Sequence, residues 1–303
     1  MISTTLNRFD RRAFLAGLVI AISGAVLFSA KAIVAKLIYR YHVDPETLIA
    51  FRMMFAFPFF AAVVCWKKRP ATALSLAEWG QIVMLGLVGY YLSSYLDFLG
   101  LQYISAGLER LILFLTPSFV LLMSLVFLKK KIALLEWMAL GAAYAGTVLV
   151  FVHDVKADGA NVILGGALVL ASAVSYSSYL LLSGQLVKRV GAIRLTAYVM
   201  CVSSFACIAQ FFLLRPASML VQPNAVYGLS LINAFFCTVL PVFLTMIAIS
   251  RIGAATTSQA QMIGPVSTLF MGALILHEPV TAIQLIGTAL VLFGIYLLSK
   301  KKT

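Results

Sequence analysis

Ten stretches of mostly apolar residues follow one another along this chain with only short connections between them. Each is close to the ~20 residues a helix needs to cross the hydrocarbon core of a bilayer. They run roughly over 13–36, 47–66, 80–99, 106–127, 133–152, 163–186, 195–214, 226–249, 255–276 and 280–298. The runs are continuously apolar, whereas barrel strands alternate over about ten residues. The expected fold class is therefore an all-α membrane protein of ten transmembrane helices. Composition supports this: 62% of the 303 residues are hydrophobic and 11% charged, against about 45–50% and 25% in soluble domains. So few charges could not cover a soluble surface, and so apolar a chain is not disordered. The connections leave no room for a soluble active-site or ATPase domain.

The charge is lopsided, with 23 Lys+Arg against 10 Asp+Glu, formally +13. In a soluble protein this surplus would suggest nucleic acid. In a membrane protein it marks cytoplasmic loops, so the partners expected are the lipid bilayer and a small-molecule substrate, with no nucleic acid. With the N-terminus inside, the inner segments hold Arg8, Arg11, Arg12, Lys67, Lys68, Arg69, Lys129, Lys130, Lys131, Lys188, Arg189, Arg194, Arg251, Lys300, Lys301 and Lys302. The outer loops hold only Arg40, Lys156 and Arg215. The reading is a multi-pass inner-membrane protein with both termini cytoplasmic. A competing reading takes Asp10-Arg11-Arg12-Ala13-Phe14-Leu15 as a twin-arginine export signal, with Ala30-Lys31-Ala32 as a cleavage site. That route suits a folded soluble passenger, and nine more spans follow here. Arg11 and Arg12 are better read as anchors of the first span.

The two halves align at a constant offset of 148. Ile104-Ser105-Ala106 meets Ile252-Gly253-Ala254, Pro117 meets Pro265, Phe127-Leu128 meets Ile275-Leu276, and Gly146 meets Gly294. Upstream, Gly17 and Ser23 pair with Gly166 and Ser172 at an offset of 149. The chain divides into five-helix repeats over 1–155 and 156–303, within one membrane domain. Five is odd, so consecutive copies must lie in the membrane with opposite orientation. That is the inverted-repeat design of many secondary transporters, with a substrate site near the midplane between halves that rock.

The residues also resemble a known family. The segment Phe28-Ser29-Ala30-Lys31-Ala32-Ile33-Val34-Ala35-Lys36, Pro45 with Phe51-Arg52-Met53, Tyr103-Ile104-Ser105-Ala106 and Thr116-Pro117-Ser118-Phe119 are similar to successive motifs of EamA-type members of the drug/metabolite transporter superfamily. Gly264-Pro265-Val266 and Leu276-His277-Glu278-Pro279 resemble the same fourth-helix Pro and following Glu in a second copy. The resemblance implies ten helices in two inverted halves and export of small metabolites, amino acids among them. One departure is Lys130, which stands where the first copy's Glu would be. It is read as an orientation signal, which puts in doubt any role of that Glu shared by both halves.

Six ionisable residues fall inside spans: Lys31, Lys36, Arg52, Asp97, Glu109 and Arg110. Each costs at least about 2.5–3.5 kcal/mol at a helix centre unless it faces a wet cavity or a partner. Their repeat mates are uncharged; Asp97 maps to Thr245, Glu109 to Thr257 and Arg110 to Ser258. Lys36, near a helix end, is read as snorkelling to the interface. Asp97 with Arg110 is a plausible structural pair between the third and fourth spans. Helical spacing places Gly86, Tyr90, Ser93, Asp97 and Gly100 on one face of the third span. Thr257, Gln261, Gly264, Thr268 and Gly272 form a stripe on the ninth, and Ser172, Ser175, Tyr179 and Ser183 on the sixth. Small polar faces avoid lipid, and close packing is the alternative to a cavity.

The candidate substrate site is Arg52, Tyr90, Ser93, Tyr95, Asp97, Glu109, Arg110, Tyr176, Tyr179 and Gln261. The tyrosines would stack on a metabolite, and Arg52 or Arg110 would hold a carboxylate bidentately. Pro117 and Pro265 remove intrahelical hydrogen bonds at matched places and are candidate paired hinges. No metal or cofactor is expected: His42, His153 and His277 are isolated, and Cys65, Cys201, Cys207 and Cys237 lie in or at the end of spans. No phosphate-cradling Gly-Lys-Ser/Thr loop occurs. Small-xxx-small pairs in the fifth span (Gly141 with Ala145, Ala142 with Gly146) suit a homodimer contact or packing within one subunit. A lipid-modifying enzyme would need a His/Asp or Ser/His cluster at one membrane face, and a channel remains an alternative to a carrier. The topology has a direct test: a reporter fused after Lys302 should be active only in the cytoplasm, and activity outside refutes the orientation.

Overall fold

The computed structural model describes residues 2–66, 74–129, 134–158 and 160–300. Lys67, Lys68, Arg69, Lys130, Lys131, Lys301 and Lys302 lie outside them, as do the side chains of Arg8, Arg11, Arg12, Lys156, Ser258 and Lys300. The N-terminal half comprises α1 (Ile2–Tyr39), α2 (Pro45–Trp66), α3 (Leu76–Gly86), a π-helical turn (Leu87–Leu92), α4 (Ser93–Leu101), α5 (Ala106–Leu113), α6 (Thr116–Leu128) and α7 (Leu134–Asp158). The C-terminal half comprises α8 (Ala160–Leu182), α9 (Gly184–Val190), α10 (Ala192–Leu214), a 3-10 turn (Ala217–Leu220) and α11 (Asn224–Ala234). It continues with a π turn (Phe235–Val239), α12 (Leu240–Ala260), α13 (Ile263–Met271), a π turn (Gly272–Leu276) and α14 (Ala282–Lys300).

Among the described residues there is no strand, and 8 helical stretches are long and apolar enough to cross a membrane, the last being Asn224–Ala248. Two shorter apolar helices, Ile263–Leu276 and Ala282–Gly294, occupy the places of the expected ninth and tenth spans. The bundle leaves large apolar side chains such as Phe205, Leu213 and Phe270 mostly exposed on its flanks, as a lipid-facing surface requires.

The two halves share backbone irregularities that apolar periodicity does not encode. The π turns at Leu87–Leu92 and Phe235–Val239 start at positions 148 residues apart. Among the described residues four have positive φ, and they form two pairs. Lys129 (52°) and His277 (60°) end α6 and the third π turn at an offset of 148; His42 (57°) and Gly191 (84°) follow at 149. The chain also breaks at Phe114–Leu115 and at Gln261–Met262. Each break lies just before a matched proline, whose ring crowds the carbonyl four residues back and offers it no N–H. The stranded carbonyls are satisfied locally: the Thr116 hydroxyl donates to Leu113 O at 2.6 Å, and the Gly264 amide to Gln261 O at 2.9 Å.

The copies are not identical: the third π turn, Gly272–Leu276, aligns with α-helical residues 124–128 of the first, and one junction differs. In the first, the chain leaves α4 at Gln102 and restarts at Ser105, whose hydroxyl caps α5 by accepting from the Leu108 amide at 3.1 Å. In the second, α12 runs on to Ala260 with no connection near 250–254, where a loop between the eighth and ninth spans was expected. Gly253 stands where the first copy has Ser105 and brings no hydroxyl to end one helix and begin the next.

Packing follows the repeat. α1 lies along α12, α4 along α8, α2 along α10 and α7 along α14. Exchanging the two copies turns the first of these pairs into the second and each of the others into itself. Glycines allow the closest approaches. A Cβ on Gly100 would sit 2.7 Å from Gly165 O, and one on Gly165 2.8 Å from Gly100 O. On the other side, a Cβ on Gly146 would meet Gly287 O at 2.5 Å. Gly146 thus serves packing within the subunit, whereas a Cβ on Gly141 would meet open space.

The polar stripe of the third span is split. The π turn inserts extra residues per turn and rotates everything after it. Gly86 faces Val199 and Val202 on α10, while Gly100 faces Gly165 on α8. The carbonyls released around this turn are taken by α8: Ser175 donates to Val88 O and Ser172 to Ser93 O, both at 2.7 Å. Substituting Val for Gly165 or Gly287 should therefore cost about 1–3 kcal/mol by overpacking, seen as a lower melting temperature in detergent. Gly141→Ala should melt at or above the wild-type temperature.

Candidate functional site

Seven charged side chains are buried among the described residues; Asp154 and Arg194 aside, five of them gather from four helices. Lys31 comes from α1, Arg52 from α2, Asp97 from α4, and Glu109 and Arg110 from α5. Their exposures are 5%, 4%, 4%, 0% and 6%. Local sequence explains the placement. Asp97 follows the π turn, which Ser93 closes by donating to the Gly89 carbonyl. Glu109 lies in the first turn of α5, where the free N–H groups of a capped helix favour a carboxylate, and Arg110 is its neighbour about 100° round the helix.

Lys31 is the hub. Its ammonium donates to Asp97 Oδ2 and lies 3.2 Å from Glu109 Oε1. The contact with Glu109 is electrostatic without hydrogen-bond geometry, since neither Glu109 oxygen accepts a bond from the described residues. Arg110 turns another way. Its Nη2 donates to Ser29 Oγ at 3.2 Å, and Ser29 donates to the Gly264 carbonyl on α13 at 3.1 Å. Arg52 Nε donates to Thr238 Oγ1, in the second π turn, at 2.8 Å. Thr238 in turn donates to the carbonyl of Asn233, a fully buried residue whose side-chain amide has no partner among the described residues. Thus the N-terminal half supplies the charges and the C-terminal half supplies Thr238, Asn233 and Gly264.

The cations alternate with aromatic rings. Arg52 lies 5.0 Å from the Phe98 ring centroid, and Lys31 lies 5.4 Å from the same ring and 5.5 Å from Phe28. Arg110 lies 5.2 Å from Phe28 and 5.1 Å from Phe114. Ring faces carry negative potential, so each contact offsets part of the cost of burying a cation. With every group ionised, three cations face two carboxylates and the cluster carries +1. Arg52 Nη1 and Arg110 Nε are buried and have no hydrogen-bond partner among the described residues.

The sequence-derived site is thus partly assembled. Arg52, Asp97, Glu109 and Arg110 come together, but Asp97 pairs with Lys31, not with Arg110 as expected. The reason is steric: Arg110 is held between Phe28 and Phe114, facing Ser29. Tyr90, Tyr176 and Tyr179 form their own cluster, with centroids 5.2–5.7 Å apart, and Tyr90 is close enough to Arg52 to interact electrostatically. Ser93 serves the α4–α8 contact. Tyr95 points elsewhere, donating to Glu46 at 3.1 Å. Glu46 also receives Arg215, which lies 3.4 Å from Asp44. Partial burial pushes the Asp44 carboxyl up, yet hydrogen bonds from Thr47 outweigh it and hold the group below its ordinary value. Gln261 donates to Thr245 at 3.1 Å.

Sequence spacing missed Ser29, Thr238 and Asn233, and Glu278 as a link between halves. Glu278 lies 3.3 Å from Lys36 and accepts from the Ala106 amide, at the start of α5, at 3.3 Å. Lys36, read as snorkelling, is paired. Beside it, Lys36, Tyr39, Arg40, Leu101, Gln102, Leu276 and Glu278 line a cleft of about 380 Å³. The hub has a stability signature: Lys31→Met strands two carboxylates and should cost about 3–5 kcal/mol. Adding Asp97→Asn should recover part of that loss in the melting temperature.

Comparison with known proteins places the molecule. The EamA-like transporter family matches twice, over residues 15–152 and 163–300. A protein of Bacillus subtilis (strain 168) named "Uncharacterized transporter YcbK" is 32% identical over 92% of this chain and 91% of its own. An "Uncharacterized transporter" of Archaeoglobus fulgidus is 26% identical over 86% of this chain and 90% of its own. A solved crystal structure of a protein 16% identical superimposes with a TM-score of 0.65, over 95% of this chain and 98% of that one, which shows a shared fold alone. Matched by the family model across both halves, the chain belongs to the EamA-like transporter family and is a multi-pass membrane transporter.

Proposed function

We propose that the protein is a secondary carrier of the inner membrane that exports a small metabolite, of the amino acid, amino acid derivative or organic anion kind. It crosses the membrane ten times as two inverted five-helix halves, with both termini in the cytoplasm. The α13–π-turn segment and α14 form the ninth and tenth crossings, and alternating access exposes one central site to either side. The observation that carries this reading is the buried charge cluster at the meeting of the two halves. A polar centre of that size is costly in hydrocarbon and is kept in transporters because it handles solute at the midplane.

Two features supply the movement. The breaks before Pro117 and Pro265 are places where a helix can bend with its carbonyls already satisfied, so these prolines act as paired hinges. The Lys36–Glu278–Ala106 contact ties α1 and α5 to the chain just after α13, so it must part when the halves separate at that end. The exposed Gly141 and Ala145 face on α7 is the surface left for a second copy.

A toxicity screen in cells overexpressing the protein should identify a metabolite whose export confers resistance. Purified protein in liposomes loaded with that metabolite should then show saturable counterflow of the labelled compound. Flux that rises linearly with concentration and ignores the internal load would establish a channel instead.

A further inference from the structure

Two acidic side chains share the Lys31 ammonium, and between them they leave three oxygens without a donor. Glu109 is 0% exposed and Asp97 4%. Both Glu109 oxygens and Asp97 Oδ1 are buried with no hydrogen-bond partner among the described residues. Lys31 spends its hydrogen bond on Asp97 Oδ2 and only approaches Glu109 Oε1, at 3.2 Å. Arg110 acts on both carboxyls through its charge, while its Nη2 donates to Ser29. The two carboxyl groups also face each other within hydrogen-bond reach.

Two carboxylates so placed repel, because each can only accept. Nearby cations offset the repulsion but do not supply the missing donor. A carboxylic acid brings its own O–H. One proton on Glu109, donated to Asp97 Oδ1, would join two orphan acceptors in one bond. A proton also needs no cavity, and this core is tightly packed: a Cβ on Gly264 would sit 2.6 Å from Arg110 Nη2.

The pair also lies next to a way out. Tyr39 lines the cleft beside Lys36 and Glu278. Its hydroxyl donates at 2.7 Å to the carbonyl of Phe98, the residue after Asp97, and stands in the field of the Asp97 carboxyl. Glu109 follows Ala106 within one turn of α5, and the Ala106 amide donates to Glu278 in the same cleft. With both termini in the cytoplasm, this cleft is at the outer end of the bundle.

We propose that Asp97 and Glu109 form a proton-binding site, loaded from the outer cleft, at which the carrier exchanges its solute for protons. A hydronium ion in the cleft gives its proton to the Glu109 carboxylate and is left as water. The cluster's charge rises from +1 to +2. Neutral Glu109 no longer attracts Lys31, so the tie between α1 and α5 weakens while Lys31 keeps its bond to Asp97. The proton leaves to the cytoplasm once the halves have rocked, and the solute moves outward from the deprotonated state. The charged and titratable groups facing the pair are Lys31 and Tyr39 from α1, Arg52 from α2 and Arg110 from α5. Tyr176 on α8 and Cys237 in the second π turn lie within electrostatic reach of Lys31. Coupling rests on the carrier reading; proton binding does not.

Proton binding is read by infrared spectroscopy of the protein in lipid at neutral pH, where exposed carboxyls are ionised. Wild type should show the carbonyl band of one protonated carboxyl group, shifted in D2O because its proton exchanges. Glu109→Gln should lose the band, keep the helical amide band and melt no lower than wild type, since its amide gives Asp97 the donor that the proton would. Asp97→Asn should lose the band as well, because Asn donates to the Glu109 carboxylate and Lys31 has no other acid to serve. A wild-type spectrum without the band, or a band that survives in either variant, overturns the site. Coupling is read in liposomes with the metabolite that the toxicity screen yields. A pH gradient should concentrate the labelled compound on the acid side beyond its level in protein-free liposomes, and a protonophore should abolish the effect. Movement that ignores the gradient or runs to the alkaline side overturns the exchange. If no metabolite shows counterflow, the carrier reading fails and the infrared result still decides the proton site. Counterflow without the band keeps the carrier and removes this site.

Discussion

One ammonium shared by two carboxylates holds the centre of this molecule together. Lys31 reaches Asp97 on α4 and Glu109 on α5 from α1, where water is excluded and the bilayer offers no substitute. In such surroundings an unpaired charge costs several kcal/mol, so the three helices must meet where those side chains can touch. The aromatic rings extend the same logic outward. Phe98 and Phe28 each serve two cations, which brings Arg52 and Arg110 into one string with Lys31.

The string is asymmetric, while much of the backbone around it is shared. Two of the three π turns and the left-handed residues recur at offsets of 148 or 149, and the breaks before the matched prolines at 147. Their chemical causes differ between copies. Ser93 closes the first π turn with a hydroxyl bond to the Gly89 carbonyl. Pro241, its mate, has no N–H for the Cys237 carbonyl and crowds it, which a wider turn relieves. The shape is thus common to both copies, while the residues that produce it and the charges it presents have diverged. The consequence is a cluster in which one half brings cations and carboxylates and the other brings a hydroxyl, an amide and the Gly264 carbonyl.

Much of this was legible in the amino-acid order. The apolar runs, the Lys and Arg bias, the repeat register and the matched prolines are all local or periodic signals. The mid-span charges were also visible, and Arg52, Asp97, Glu109 and Arg110 do converge. The partner of Asp97 was not legible, because a sequence lists cations without saying which aromatic rings will claim them. Arg110 is held by Phe28 and Phe114, and so Lys31 is left for both carboxylates. The polar stripe from Gly86 to Gly100 failed as a single face because a π turn within it has no reliable sequence signature and rotates every residue that follows.

The sequence by itself determined that the chain is a bundle of apolar helices built from two related halves, because hydrophobic length and repeat register are properties of residue order. Tertiary structure alone decided that α1 and α5 meet around Lys31, that α13 brings Gly264 against Arg110, and that Glu278 bridges the halves. Such contacts join residues up to 242 positions apart, as Lys36 with Glu278 shows. Only the packed bundle sets which buried charge finds an ion-pair partner and which is left beside rings and hydroxyls.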